Sequence, residues 1–366
     1  MIDSVASSGS ALASGDALQP GATCEPGCLT LPPVIFGISA LGNLYRALHV
    51  AEKRAIVASC LRHTRGRAVF DGAGKYGAGL ALEELGHSLR AEAVAPGAVL
   101  VSNKLGWRRT PLLGAEPTFE AGVWKELKHD AVQDISAEGI LRCREEGDCL
   151  LGFPYRAELL SVHDPDEFIA AAGPDPAVRA ARLEAVVAAY SSLAALRAAG
   201  EVKAIGIGAK DWRVAREIAQ RVKLDWVMLA CSLTVLRHPR ELLDWIAALS
   251  GEGVAVIDSA LFHGGFLTGG DYFDYRRIEP DDPADRKLLA WREAYTAACA
   301  RAGVTTAHAA VAFARLVPGV TSVALNTSDP ARVGQNVAMG MESVPKALWK
   351  DLAASGLIDR DLEFLP

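Results

Sequence analysis

No run of ~18 uncharged apolar residues, the length a membrane-spanning helix needs, occurs in this sequence, so no membrane partner is expected. A basic excess is also missing. There are 38 Lys and Arg against 44 Asp and Glu, a net charge of −6, the wrong sign for a nucleic-acid footprint. The N-terminus lacks the basic start and apolar block of a secretory signal. Cysteine is present, but without a framework pattern. Seven thiols, an odd number, run from Cys24 to Cys299 with no C-x2-C pair. That spacing argues for reduced thiols in a cytoplasmic protein rather than for disulfides. Cys24/Cys28 and Cys143/Cys149 have no second pair nearby, so no metal is expected. What is present is ample apolar content, 50% of 366 residues against 22% charged, which excludes bulk disorder.

Residues 1–29, rich in Ala, Ser and Gly, read as a mobile tail, and 30–366 as one catalytic domain without a break in composition. Short apolar runs alternate there with segments of helical period. The strand candidates are 34–39, 68–73, 98–104, 159–163, 204–209, 226–232, 254–260 and 322–326. Their continuous apolar character suits strands buried on both faces. Helices are expected at 51–64, 79–92, 135–146, 179–199, 212–222, 240–249, 285–302 and 307–316, with another opened by Asp329-Pro330 and an extra C-terminal one at 346–355. Eight strand–helix units predict an α/β fold, a (β/α)8 TIM barrel, with an open doubly wound sheet as the rival. Long connections follow the third strand (106–155) and the seventh (264–284). Connections of that length are usually functional, and their aromatic residues suit a pocket wall.

Gly72, Gly74 and Gly77 satisfy the spacing of a dinucleotide fingerprint. They follow the second strand rather than the first, and the next strand ends Asn103-Lys104 with no ribose-binding acid, which argues against that reading. The strand ends are more informative, because a barrel gathers them on one face. Asp71, Tyr76, Lys104 and His163 all lie at or just past such ends. A phenol with an ordinary pKa near 10 is a poor base at neutral pH. An adjacent ammonium is expected to lower that value. The ammonium in turn needs a carboxylate partner when buried. A histidine beside them can hydrogen-bond a reacting oxygen. The set suits proton transfer at a carbonyl or alcohol during nicotinamide hydride transfer. A metal-dependent hydrolase using His163, Asp164 and His263 lacks further ligands on other strands. No tyrosine has lysine four positions later, which excludes the short-chain dehydrogenase arrangement.

The segments Phe70-Asp71-Gly-Ala-Gly-Lys-Tyr76-Gly, Val101-Ser-Asn-Lys104, Leu160-Ser-Val-His163-Asp-Pro-Asp166 and Gly206-Ile-Gly208 resemble the aldo-keto reductase superfamily over about residues 34–356. With Gly265-Phe-Leu-Thr-Gly269 and Leu348-Trp349, they are most similar to its aldose 1-dehydrogenase branch, which includes L-fucose, L-galactose, D-threo-aldose and pyridoxal 4-dehydrogenases. The resemblance implies that Asp71, Tyr76, Lys104 and His163 are the catalytic tetrad. It implies a dinucleotide held by Gly37, Ser39, Ala209, Lys210, Ser232, Ser259, Gly264, Gly265, Leu267, Asn326, Ser328, Arg332, Gln335 and Asn336. Tyr45, Trp107, Tyr155, Phe262 and His263 are implied to face substrate. Ala209-Lys210 stands where the family usually has Ser-Asn. Asp329 beside Arg332 favours NAD, with NADP possible. The implied reaction is oxidation of an aldose or similar cyclic hemiacetal to a lactone. The alternatives are an NADPH-dependent aldehyde or ketone reductase on the same tetrad, and a non-catalytic nucleotide-sensing barrel. The sequence leaves the oligomeric state open.

Overall fold

The computed structural model describes residues 29–274 and 276–366, so most of the expected tail, with Cys24 and Cys28, lies outside the described residues, as does Tyr275. The first half of the chain runs β1 (Val34–Gly37), α1 (Val50–His63), β2 (Ala68–Ala73), α2 (Leu80–Ala91), β3 (Val99–Leu105), β4 (Trp107–Pro111), β5 (His129–Gln133), α3 (Ala137–Leu151), β6 (Leu159–His163), α4 (Pro165–Ala170) and α5 (Pro176–Ala198). The second half runs β7 (Ala204–Ala209), α6 (Trp212–Ala219), β8 (Trp226–Ala230), α7 (Arg240–Gly251), β9 (Ala255–Ser259), β10 (Tyr272–Phe273), β11 (Arg276–Arg277), α8 (Pro283–Arg301), α9 (Thr306–Leu316), β12 (Val320–Leu325), α10 (Val333–Met339) and α11 (Lys346–Ala354). Eight of the strands close in the order β1-β12-β9-β8-β7-β6-β3-β2. Parallel pairing of β1 with β12, Val34 opposite Val323, seals the ring and excludes the open sheet.

Alternation along each strand explains both the core and the site. Outward residues such as Phe36, Phe70, Val101, Leu160 and Val256 pack under the helices. Inward residues at the lower rim, among them Ile35, Val69, Leu100, Leu159 and Trp226, fill the barrel. Because side chains repeat every second residue, the same inward rows climb from Val69 to Asp71, from Leu100 to Lys104 and from Leu159 to His163. The barrel is therefore apolar below and ionisable above.

Helix starts follow local chemistry. The Asp211 carboxylate accepts from the Arg213 N–H, and the Asp282 carboxylate from Ala284, satisfying donors that have no partner in the first turn. Gly200 ends α5 at φ 73°, a conformation disfavoured for residues with a Cβ.

Four features differ from expectation. The connection after β3 carries the hairpin β4–β5, with Trp107 opposite Gln133, and α3 continues to Leu151. A short α4 follows His163 at once. Asp329-Pro330 opens a single tight turn (Pro330–Arg332) before α10. Phe119 packs between Trp107 and Trp124, its ring tilted against both (centroids 5.7 and 6.4 Å apart), within the excursion. Among the described residues no helix is long and apolar enough to cross a membrane.

Candidate active site

Lys104 and Asp71 form the centre of the barrel mouth. β2 and β3 pair with Ala73 opposite Lys104. The Lys104 Nζ lies 2.6 Å from Asp71 Oδ2, and both residues are buried. The lysine stem fits because position 208 on the facing strand is glycine: a Cβ there would sit 2.8 Å from Lys104 Cδ. Tyr76 stands on the turn after β2, its N–H donating to the Ala73 carbonyl at 3.1 Å. That turn packs so closely on Gly42 that a Cβ at Gly77 would collide with the Gly42 backbone. Lys104 Nζ is 4.8 Å from the Tyr76 ring centre. The His163 ring meets the Tyr76 ring edge-on, centroids 5.5 Å apart. The structure thus brings the four side chains together, as their positions at strand ends led us to expect.

The electrostatics correct one expectation. Burial pushes the Tyr76 phenol well above its usual value, and the carboxylates of Asp71, Asp164 and Glu120 push it further. The Lys104 cation is itself paired with Asp71 at contact distance, and the net direction for the phenol is upward. Burial, then the cations Lys104, Lys75 and Lys210, push His163 well below its usual value. It is a neutral imidazole. Its Nδ1 is buried without a hydrogen-bond partner, and Nε2 is 3.7 Å from Asp164 Oδ2, too far for a hydrogen bond.

Around the tetrad lies a charged ring in which sequence reasoning did not single out Lys75, Glu120 or Glu167. The buried Lys75 ammonium is 2.7 Å from Glu120, 3.4 Å from Asp164 and 3.4 Å from Glu167. Burial opposes its charge, but Asp164, Glu120 and Glu167 outweigh that and raise its pKa. Lys210 pairs with Glu167 and lies 3.6 Å from Asp164. Asp166 Oδ2 accepts from the backbone N–H of Lys210 at 3.1 Å and of Asp211 at 2.8 Å, fixing the turn after β7. Burial pushes the Asp166 carboxyl up to about 6. Glu120 and Lys75 are 45 positions apart, and only the folded excursion joins them.

A cavity of about 1160 Å³ opens above these groups. Gly37, Ser39, Ala209, Lys210, Ser259, Gly264, Gly265, Asn326, Ser328, Arg332, Gln335 and Asn336 line it, as do Tyr45 and Phe262. Met228, Cys231, Arg237 and Asp274 line it as well, and sequence reasoning missed them. Five expected residues lie elsewhere. The Ser232 hydroxyl is turned back onto the Lys210 carbonyl. Leu267 is fully buried in the core. Trp107 packs against Phe119 beneath the excursion. The Tyr155 hydroxyl donates to the Val94 carbonyl at 2.6 Å on the outer side of the barrel. The His263 ring is fully buried, 2.7 Å from both Asp274 Oδ1 and Thr234 Oγ1. It groups with Cys231 and Asp274 rather than with His163 and Asp164.

The lining fits a dinucleotide. The volume exceeds the ~300–1,000 Å³ of ordinary small-molecule pockets. Amide and cationic side chains at Asn326, Arg332, Gln335 and Asn336 line the cavity together with Ala209 and Lys210. Arg332 is 3.6 Å from Asp329.

Comparison with known proteins agrees with this architecture. The chain is 28% identical over 342 residues to the pyridoxal 4-dehydrogenase of Microbacterium luteolum, covering 90% of this chain and 95% of that one. It is 27% identical over 343 residues to a D-threo-aldose 1-dehydrogenase of a Pseudomonas species, with the same coverage. The fold superposes on the glycerol dehydrogenase AKR11B4 of Gluconobacter oxydans (TM-score 0.64, 18% identity, 93% of this chain and 98% of that chain). It also superposes on the holo form of aldo-keto reductase AKR11C1 of Bacillus halodurans (TM-score 0.61, 18% identity, 89% and 92%). Residues 33–355 match the aldo/keto reductase family profile, and with the barrel closed around Asp71, Tyr76, Lys104 and His163 the chain belongs to that family of NAD(P)-dependent oxidoreductases.

Proposed function

We propose that this protein oxidises an aldose or a similar cyclic hemiacetal at its anomeric carbon to a lactone, with NAD as the favoured acceptor. When bound, the nicotinamide supplies the hydride acceptor, held by residues along Ser259–Gly265, Ala209–Lys210 and Asn326–Asn336. The chain's own groups manage the proton. The anomeric hydroxyl sits between the Tyr76 hydroxyl and the neutral His163 ring. His163 hydrogen-bonds and orients the oxygen. Tyr76, deprotonated, takes the hydroxyl proton as the carbon–oxygen double bond forms. The ion-paired Lys104 and Asp71 keep a cation beside the phenol ring without leaving a bare charge in the barrel.

The observation that carries this reading is the juxtaposition of Lys104–Asp71, Tyr76 and His163 beneath one large cavity. Two further features support an aldose. The relatives include a sugar dehydrogenase. The charged rim of Lys75, Glu120, Asp164, Glu167 and Lys210 offers donors and acceptors suited to several hydroxyl groups. Arg332, already beside Asp329, is poorly disposed to a ribose phosphate, which supports NAD over NADP. One observation favours reduction of an aldehyde or ketone instead: the raised Tyr76 phenol holds its proton and is ready to donate it.

A panel of aldoses, pyridoxal and simple aldehydes, assayed with NAD and NADP and read by reduced-nicotinamide absorbance, tests the proposal. Oxidation of at least one aldose, faster with NAD, is the expected result. Turnover confined to NADPH-dependent reduction would overturn it.

A further inference from the structure

We infer that Cys231, His263 and Asp274 form a cation site of the zinc class on the wall of the same cavity, apart from the tetrad. One sulfur, one ring nitrogen and one carboxylate oxygen lie within 4.8 Å of one another, the only such grouping of three found among the described residues. They come from two places in the fold. Cys231 follows β8, while His263 and Asp274 flank the glycine-rich excursion after β9. A four-coordinate zinc with bonds of ~2.0–2.3 Å holds its ligand atoms roughly 3.3–3.8 Å apart, so the widest separation would close by about an ångström and the 2.7 Å His263–Asp274 contact would open slightly. The mixed donor set suits zinc or cobalt and disfavours magnesium and calcium, which take oxygen ligands.

The surroundings are already arranged for ligation. His263 Nδ1 is 2.7 Å from Asp274 Oδ1, sharing a proton that a cation would replace. The other ring nitrogen is 2.7 Å from Thr234 Oγ1. With Nδ1 on the metal, the Nε2–H donates to Thr234, and that contact fixes the ring. Arg237 holds the second Asp274 oxygen at 3.2 Å, so Oδ1 is the one presented. Cys231, His263 and Asp274 all have left-handed backbones, φ 58°, 50° and 46°. Such strain persists where the surrounding structure imposes it and gathers at ligand-binding positions. Cys231 and Asp274 line the cavity, so a fourth coordination position would open toward it. The cation would tie the end of β8 to the excursion after β9.

The plainer account is a hydrogen-bonded trio, with His263 and the Cys231 thiol both on Asp274, that pins the excursion without a cation. Ligation through the Cys231 sulfur therefore decides between them. Untagged, reduced, metal-free protein titrated with Co2+ alone is expected to bind one ion per chain. It should show a sulfur-to-cobalt charge-transfer band and the intense visible absorption of a four-coordinate ion, both removed by Zn2+. Cys231→Ser should lose the charge-transfer band and weaken uptake at least tenfold. Thr234→Val should keep the band and weaken uptake roughly 10–100-fold, as loss of a contact behind a ligand does. Asp274→Asn, on a half-buried residue, provides a second ligand variant should Cys231→Ser fold poorly. Absence of the band in the wild type, or equal uptake by wild type and Cys231→Ser, would overturn the assignment. The readout needs no nicotinamide turnover, so the site and the proposed reaction fail separately.

Discussion

Replacing Lys104 with methionine keeps the length of the stem and removes the ammonium. Asp71 is then stranded. It is 3% exposed, its Oδ1 has no hydrogen-bond partner, and Oδ2 loses the one at 2.6 Å. Removing one member of a buried ion pair costs roughly 3–5 kcal/mol. Loss of the cation beside Tyr76 is expected to lower turnover about 100-fold or more. The single variant cannot separate the two effects, because a damaged fold also lowers turnover. The double variant Asp71→Asn/Lys104→Met can. Replacing both members of a buried pair with neutral groups is often close to neutral for stability. Urea unfolding should therefore return to within roughly 2 kcal/mol of wild type. Turnover, read by reduced-nicotinamide absorbance, should stay at least about 100-fold down. Recovery of turnover together with stability would refute the assignment, because the pair would then serve only the fold.

Two further outcomes are expected. Gly208→Ala places a methyl group 2.8 Å from Lys104 Cδ. It should cost roughly 1–3 kcal/mol through overpacking and lower turnover, whereas the same change at Gly97, where nothing lies within 4 Å of a Cβ, should leave turnover alone. Asp258 is fully buried with both carboxylate oxygens lacking side-chain partners, and burial raises its pKa well above the usual value. The folded state therefore binds the proton more tightly than the unfolded state, and this contribution falls as pH rises through and above about 4. Asp258→Asn should flatten that decline, so that denaturant stability relative to wild type improves from pH ~4 to pH ~7. A parallel decline in both proteins would contradict it.

The barrel was legible because its strands are apolar on both faces and its helices carry ordinary caps, such as Asp211 and Gly200. The meeting of Asp71, Tyr76, Lys104 and His163 at one mouth was legible because barrel topology gathers strand ends. The hairpin β4–β5 was not, since Arg108, Arg109 and Thr110 are only partly buried and give no apolar run. Nor was α4, which begins directly after His163 with Asp164 in a left-handed conformation, φ 45°. Tyr155 and His263 were implied by the resemblance to face substrate, yet their polar atoms are spent on neighbours that sequence spacing does not reveal. The Lys75–Glu120 pair depends on how the excursion folds back. The direction of the Tyr76 phenol was not legible, because it follows from burial and from the carboxylates of Asp71, Asp164 and Glu120, which only the fold brings together.

The pH dependence of kcat/KM for oxidation, measured in wild type and Tyr76→Phe, tests the central claim most directly. That parameter reports the ionisation of free enzyme, where burial and neighbouring carboxylates hold the Tyr76 phenol protonated. If Tyr76 takes the proton, kcat/KM rises about tenfold per unit over pH ~7–9, and Tyr76→Phe loses both the rate and the slope. A flat profile in the wild type, or the same rising slope in Tyr76→Phe, would contradict the account.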